Sequence, residues 1–420
     1  MFRVQTFFSR SMGKLPSSAA PRRLAGRLLS MALVALATAG AAPRASAQLL
    51  GTDDFYTPPA TLPGKPGDIV RSRAVATPLF PEANVWQIMY RSSDVKKQPV
   101  AVTGALLVPK LPSVGVRPLV VITPGTRGLG DQCAPSKQMN PLTYSYAVDP
   151  ENAIYSRLLA NGVAVVITDY PGTGTPGLPP YLVGTPNGYA GLDALRAATR
   201  LAGAGLSSAA PMGVMGYSQG GQSSAWAGEL QPSYAPELDL RGIVAGGTPS
   251  DMNDLVNHMN GNPTAGAGFA IAAVSGVSTA YPELDLDAYL TPSGGQVMER
   301  ARNSCYAEDL LTFGTTRIGD ITSPDVLSVP AYRDRLGKSL LGTKRPEAPA
   351  YVFHGDIDQV VPYHLGVQLF YSWCSLGATV VFEPLIGVEH VAGSQALALG
   401  AATWMLDRLR GVPAPNGCGS

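Results

Sequence analysis

An α/β fold, with a mainly parallel sheet flanked by helices and broken by a helical lid or cap insertion, is predicted by three features of the sequence. Short, wholly apolar runs recur along the chain, and segments with helical spacing lie between them. One interval of about 100 residues interrupts the alternation, far longer than an ordinary connection.

The N-terminus sets the compartment. Met1 to Ala47 carries Arg22, Arg23 and Arg27, an apolar run from Leu28 to Ala42 and the small triplet Ala45-Ser46-Ala47, the pattern of a cleaved signal peptide. The run is about 15 residues where a membrane span needs about 20, so an uncleaved anchor fits less well. The segment holds seven basic residues and no acidic one, and its removal takes the formal charge from +1 to −6. A nucleic-acid partner is excluded on that balance. An exported, loop-rich enzyme suits a chain with 15% charged residues, 47 glycines and 37 prolines.

Residues 48–84, rich in Pro and Gly from Gly51 to Pro81, read as an N-terminal extended arm. Val85 to Arg91 and Val100 to Val108 are β-rich runs parted by a polar stretch, the signature of a hairpin. Buried strands follow at Pro118 to Ile122, Val163 to Ile167, Met212 to Met215, Ile243 to Ala245 and Ala350 to Phe353, each apolar throughout. Helical spacing marks Pro150 to Ala160, Gly191 to Ala202, Gly220 to Leu230, His364 to Trp373 and Gly393 to Leu409. The catalytic body is thereby assigned to 85–248 and 347–420, and the lid or cap insertion to 249–346, where Ala265 to Ala280 and Gly295 to Arg302 have helical character.

Four cysteines, Cys133, Cys305, Cys374 and Cys418, remain in the exported chain, and an even count in oxidising surroundings implies two disulfides, with three pairings possible. None stands close enough to another for a CxxC-type metal site.

Gly216-Tyr217-Ser218-Gln219-Gly220 matches G-x-S-x-G, a strand-to-helix turn that lifts a nucleophilic serine above a sheet. With 47 glycines in the chain the pattern alone decides little. Context adds weight, since an apolar strand precedes it and a helical segment follows, as the α/β-hydrolase fold requires. A serine hydroxyl needs a base to take its proton and a carboxylate to orient that base. In this fold the chain order is Ser, acid, His. All four histidines, His258, His354, His364 and His390, follow Ser218, but only His390 lies between the last β-like run, Thr379 to Glu383, and the final helix. The acid belongs after the strand Ala350 to Phe353, where Asp356 and Asp358 compete. Asp358 is preferred because its loop, ending in Val360-Val361, can bend back over the sheet. His354, Asp356 and Asp358 as a metal set lack a fourth ligand nearby. The oxyanion hole takes one backbone N–H from Gln219 and a second from the loop Thr123 to Gly130, at Thr126 or Gly125.

Jointly with the elbow, Asp54-Phe55-Tyr56, Cys133-Ala134-Pro135-Ser136, Asp169-Tyr170-Pro171-Gly172-Thr173-Gly174 and the stretch Gly355 to Pro362 make the chain resemble the secretory lipase family over nearly its whole exported length. The resemblance implies a lid of about 100 residues between the strand after the elbow and the acid strand. It also implies disulfides Cys133–Cys305 and Cys374–Cys418, the first anchoring the lid. The sequence departs from a yeast member of the family at the oxyanion loop, where that enzyme uses an aspartate and this chain has Gly125-Thr126.

The expected chemistry is hydrolysis of carboxylic esters through an acyl-enzyme on Ser218, with no metal and no cofactor. Substrates are acylglycerols or other apolar esters reaching a dry acyl pocket under the lid, with transient contact at the lipid interface. The rival readings are an acyltransferase using the same intermediate and a catalytically silent cell-envelope binding protein.

Overall fold

The computed structural model describes residues 53–139, 151–306 and 312–419. The signal segment read at 1–47 lies outside them.

Among the described residues one sheet of nine strands runs in the order β1-β2-β3-β5-β4-β6-β7-β8-β9. These are β1 (Ile69–Val75), β2 (Ala83–Ser93), β3 (Pro99–Pro109), β4 (Leu119–Thr123), β5 (Ala164–Thr168), β6 (Met212–Tyr217), β7 (Leu240–Gly246), β8 (Ala350–Gly355) and β9 (Val380–Leu385). From β5 to β9 every neighbouring pair is parallel, while β1, β2, β3 and β5 pair antiparallel. Every residue of β4, β5, β6 and β8 is buried, which is why their sequences are continuously apolar instead of alternating. The long helices Gly184–Arg200, Gln219–Tyr234 and Tyr363–Ser375 close one face around Leu195, Trp226 and Trp373. Asn152–Ala160 and Ala402–Leu409 close the other around Tyr155, Leu158 and Met405.

The stretch read as an arm supplies the outer strand β1. Its sequence, Ile-Val-Arg-Ser-Arg-Ala-Val, carries two arginines on a half-exposed edge and so shows no apolar run. Arg73 extends from it to Asp53 at 2.8 Å.

Because β5 and β6 lie on opposite sides of β4, the chain crosses over at β4 and a crevice opens at the C-terminal ends of β4 and β6. Between β7 and β8 the described residues include helices Met252–Met259, Ala267–Ala280, Pro292–Asn303 and Pro330–Gly337, sharing an apolar cluster that includes Leu255, Phe269, Val274, Met298 and Tyr332. Leu129, Leu182, Val361 and Leu365 of the body join that cluster. Disulfides connect Cys133 with Cys305 and Cys374 with Cys418.

Three of the sequence motifs converge in one buried polar knot away from the elbow. The hydroxyls of Tyr56 and Ser136 share a hydrogen bond of 2.9 Å, and Gln87 donates to Tyr56 Oη and to the Ser136 carbonyl. The Ser136 amide and the Thr103 hydroxyl both donate to Asp169, at 2.8 and 2.7 Å. Burial raises the Asp169 carboxyl above the usual carboxylate range, against these donors. The knot fastens the first described residues to the sheet.

Candidate active site

Ser218 stands between β6 and the helix Gln219–Tyr234 with φ 60° and ψ −122°, a strained conformation of the kind that gathers at functional sites. The turn closes only with glycine beside it. A Cβ on Gly216 would lie 2.2 Å from the Gly220 carbonyl oxygen, and one on Gly220 would lie 2.0 Å from the Thr123 carbonyl oxygen. The Ser218 amide donates to the Gly246 carbonyl at 2.9 Å, and the Ser218 carbonyl accepts from Gln222 at 3.0 Å, so the bend is pinned on both sides.

His390 opens the short helix His390–Gly393 after β9, where Glu389 caps the helix by accepting from Val391 and Ala392. Its Nε2 lies 3.0 Å from Ser218 Oγ and its Nδ1 2.6 Å from Asp358 Oδ2. With the proton on Nδ1 donated to the carboxylate, Nε2 is left to accept the serine proton. Tyr217 fixes the loop from below, donating its hydroxyl to the His390 carbonyl at 2.7 Å with its ring centroid 5.1 Å from the imidazole.

Asp358 lies in the loop after β8, and its Oδ1 accepts from the Val360 and Val361 amides at 2.9 and 2.8 Å. Buried His354 sits on its other side, with Nε2 3.3 Å from Asp358 Oδ2 and 2.9 Å from the Val361 carbonyl. Burial opposes ionisation of Asp358, but hydrogen bonds from His354 and His390 outweigh it and hold the carboxyl well below the usual range. A carboxylate so held stays charged and can stabilise a neighbouring imidazolium.

The structure therefore brings Ser218, His390 and Asp358 together. Asp356 instead accepts from the Gly387 amide at 2.6 Å, bracing the two loops. His258 contacts the Gln359 carbonyl and His364 the Asp254 carboxylate, so neither approaches the serine. Of the oxyanion candidates, Gln219 is the first residue of its helix, where the N–H has no intrahelical acceptor. The Gly125 amide donates to Glu151 at 2.9 Å and is committed there. Thr126 bonds Tyr181 through its hydroxyl at 2.8 Å, and among the described residues its amide has no acceptor. Sequence reasoning missed Glu151 and the tether from Tyr217: the first reads as an ordinary acidic residue ahead of a helix, and the second occupies the variable position of the elbow.

Above Ser218 a cavity of about 470 Å³ opens, bordered by Thr126, Phe269, Tyr306, Val360, His390 and Leu397. Phe269 and Tyr306, both from the insertion, stack at 5.9 Å.

The secretory lipase family model matches residues 137–417, which contain all three of these side chains. The chain belongs to the secretory lipase family. This secretory lipase is 29% identical over 412 residues to a secreted triacylglycerol lipase of Malassezia restricta, covering 93% of this chain and 86% of the relative. It is 31% identical over 382 residues to one of Malassezia globosa, covering 86% and 79%. A Mycobacterium tuberculosis relative, named a probable inactive lipase, is 30% identical over 386 residues, covering 87% and 84%. Among solved structures, Candida antarctica lipase A in its closed state superposes with a TM-score of 0.77 at 26% identity over 88% of each chain. The rice cell wall degrading esterase LipA of Xanthomonas oryzae, at 21% identity and TM-score 0.65 over 83% of this chain and 98% of its own, shares the fold. By family, then, the secretory lipase is a secreted carboxylic ester hydrolase with the α/β-hydrolase fold.

Proposed function

We propose that the enzyme hydrolyses acylglycerols or comparable apolar esters through an acyl-enzyme on Ser218, with His390 as general base and acid, Asp358 as its orienting carboxylate, and the insertion 249–346 as a lid. The observation that supports this is the unbroken hydrogen-bonded sequence Ser218–His390–Asp358 at the floor of a mainly apolar cavity. Ser218 Oγ attacks the ester carbonyl carbon while its proton passes to His390 Nε2. The tetrahedral oxyanion is held by the Gln219 amide and a second amide from the loop after β4. As it collapses the alcohol departs with the His390 proton, and water then repeats the sequence to free the acid.

Insertion side chains such as Phe269 and Tyr306 roof the cavity, which suits an acyl chain shielded from water. A second reading, a silent fold carrying no turnover, draws on the relative named as inactive. Hydrolysis of p-nitrophenyl esters from short to long acyl chains by wild type and Ser218→Ala separates the two. Turnover is expected to fall by about 10⁴-fold or more in the variant. Wild-type protein that is folded yet neither hydrolyses any ester nor reacts with a fluorophosphonate at Ser218 would leave the silent reading standing.

A further inference from the structure

The loop after β4 carries a device that the triad does not explain. Glu151, buried at the edge of the cavity just ahead of the helix Asn152–Ala160, reaches with its carboxylate both residues flanking Thr126, and also accepts from the Tyr155 hydroxyl at 3.3 Å. Oε1 accepts from the Gly125 amide at 2.9 Å, and Oε2 accepts from the Arg127 guanidinium at 2.8 Å. The carboxylate thus straddles one residue. Thr126 is held a third way, through its hydroxyl to Tyr181 Oη at 2.8 Å, so its side chain is turned to Tyr181 while its amide takes no acceptor among the described residues. Thr126 and Ser218 line the same cavity, and their strands β4 and β6 are adjacent and parallel.

We infer that Glu151 is a positioning residue for the oxyanion hole, clamping the Gly125 and Arg127 flanks so that the Thr126 backbone N–H is the donor presented to the tetrahedral intermediate. Between the two candidates in this loop, the clamp selects Thr126, because the Gly125 N–H is spent on the carboxylate. A bare carboxylate beside a developing oxyanion would oppose it, whereas the paired Arg127 guanidinium balances the charge. The inference rests on the hydrolase reading, and it concerns a step in which donor placement matters steeply: removal of one oxyanion donor costs about 10²–10³ in kcat, and misplacement by about 1 Å about 10².

The test compares Glu151→Ala and Glu151→Gln with wild type, using kcat per active site titrated to completion with a fluorophosphonate, KM on a p-nitrophenyl ester, and inhibition by an alkylboronic acid, which forms a tetrahedral adduct on the serine. Glu151→Ala is expected to lower kcat by about 30- to 100-fold with KM within about twofold. Boronic acid affinity should fall by a similar factor. Glu151→Gln retains a carbonyl for the Gly125 amide but releases Arg127, and is expected to lose about five- to tenfold. A residue that only supports the fold would lower the melting temperature and leave kcat per titrated site and boronic acid affinity unchanged. That result in either folded variant overturns the inference. Should Glu151→Ala not fold, unchanged kcat in Glu151→Gln overturns it alone. Ser218→Ala, run alongside, keeps the readings apart: its loss of turnover upholds the hydrolase even where the clamp fails.

Discussion

The elbow at the end of β6 and the loop at the end of β4 face each other across adjacent parallel strands, and both are glycine-rich turns, yet they are held by different means. The elbow is closed by backbone alone: Ser218 at φ 60°, Gly216 against Gly220, and Gly220 against the Thr123 carbonyl at the end of the adjacent strand. The other loop is held from a distance. Its contacts come from Glu151, from Tyr181 and from the insertion, where Tyr306 donates its amide to the Arg127 carbonyl and the Leu129 and Gly130 amides both donate to Ser304. A nucleophile placed by backbone sterics within the sheet is robust to side-chain change elsewhere, whereas an oxyanion donor placed by side-chain and insertion contacts depends on segments up to 179 positions away, the separation of Tyr306 from Arg127.

The largest effect that sharpens this contrast belongs to the local half of the site. Asp358→Asn should lower kcat by about 10⁴-fold, because an amide cannot hold the Nδ1–H tautomer of His390. Asp356→Asn should stay within a few-fold, since an amide oxygen can still accept from Gly387. The check is kcat on a p-nitrophenyl ester for both variants; equal losses would mean that the bracing of the two loops, and not the identity of the acid, governs the site. Asp358 also has a pH signature. Its folded-state pKa is depressed, so its contribution to stability is present above the usual carboxylate range and is lost as pH falls below about 4 and through the folded value. Denaturation midpoints measured between pH 6 and pH 2.5 should decline in that window for wild type and decline less for Asp358→Asn.

What the sequence disclosed follows the same division. Buried parallel strands announce themselves because both faces are covered, and β4 to β8 were legible as apolar runs within one to three residues of their ends. Ser218, His390 and Asp358 could be singled out as candidates, which the structure brings within hydrogen-bonding distance, because the fold imposes their chain order and each sits after a recognisable strand. β1 was not, because an edge strand tolerates Arg71 and Arg73 and breaks the apolar signal. Glu151 was invisible for another reason: nothing adjacent to it marks it, and its partners Gly125 and Arg127 are brought near only by the packing of the helix Asn152–Ala160 on the sheet. The motif pieces around Tyr56, Ser136 and Asp169 suggested the family correctly, and in the structure they form a buried hydrogen-bonded knot.

An intermediate effect is expected from Cys133→Ser/Cys305→Ser. This disulfide closes a separation of 172 residues and lies beside the Gly128–Cys305 bridge and the Ser304 contacts that brace the oxyanion loop from the insertion. Chain entropy puts its loss at the upper end of measured disulfide effects, about 5 kcal/mol. Because the loop it steadies presents a transition-state donor, kcat should also fall, by about five- to twentyfold, with KM less affected. Kinetics at a temperature where the variant is still folded, verified by circular dichroism, provide the check. Unchanged kcat there would show that the remaining hydrogen bonds hold the loop without the covalent tie.

The smallest effect on catalysis should come from Cys374→Ser/Cys418→Ser, and it is the control that the comparison needs. This bond closes 44 residues, joining the helix Tyr363–Ser375 to the C-terminal tail, where Gly417 donates to the Val380 carbonyl and Asn416 accepts from the Val380 amide. The same entropy relation gives about 4 kcal/mol, close to that of the other disulfide, since the dependence on loop length is logarithmic. The two variants should therefore lose thermal stability by comparable amounts while differing in catalysis, because none of the residues around Cys374 or Cys418 borders the cavity over Ser218. With kcat within about twofold of wild type below the melting transition, the tail disulfide acts on stability alone. A fall in kcat matching that of Cys133→Ser/Cys305→Ser would mean that the site answers to the stability of the whole body, and the distinction between a locally built elbow and a remotely held oxyanion loop would lose its basis.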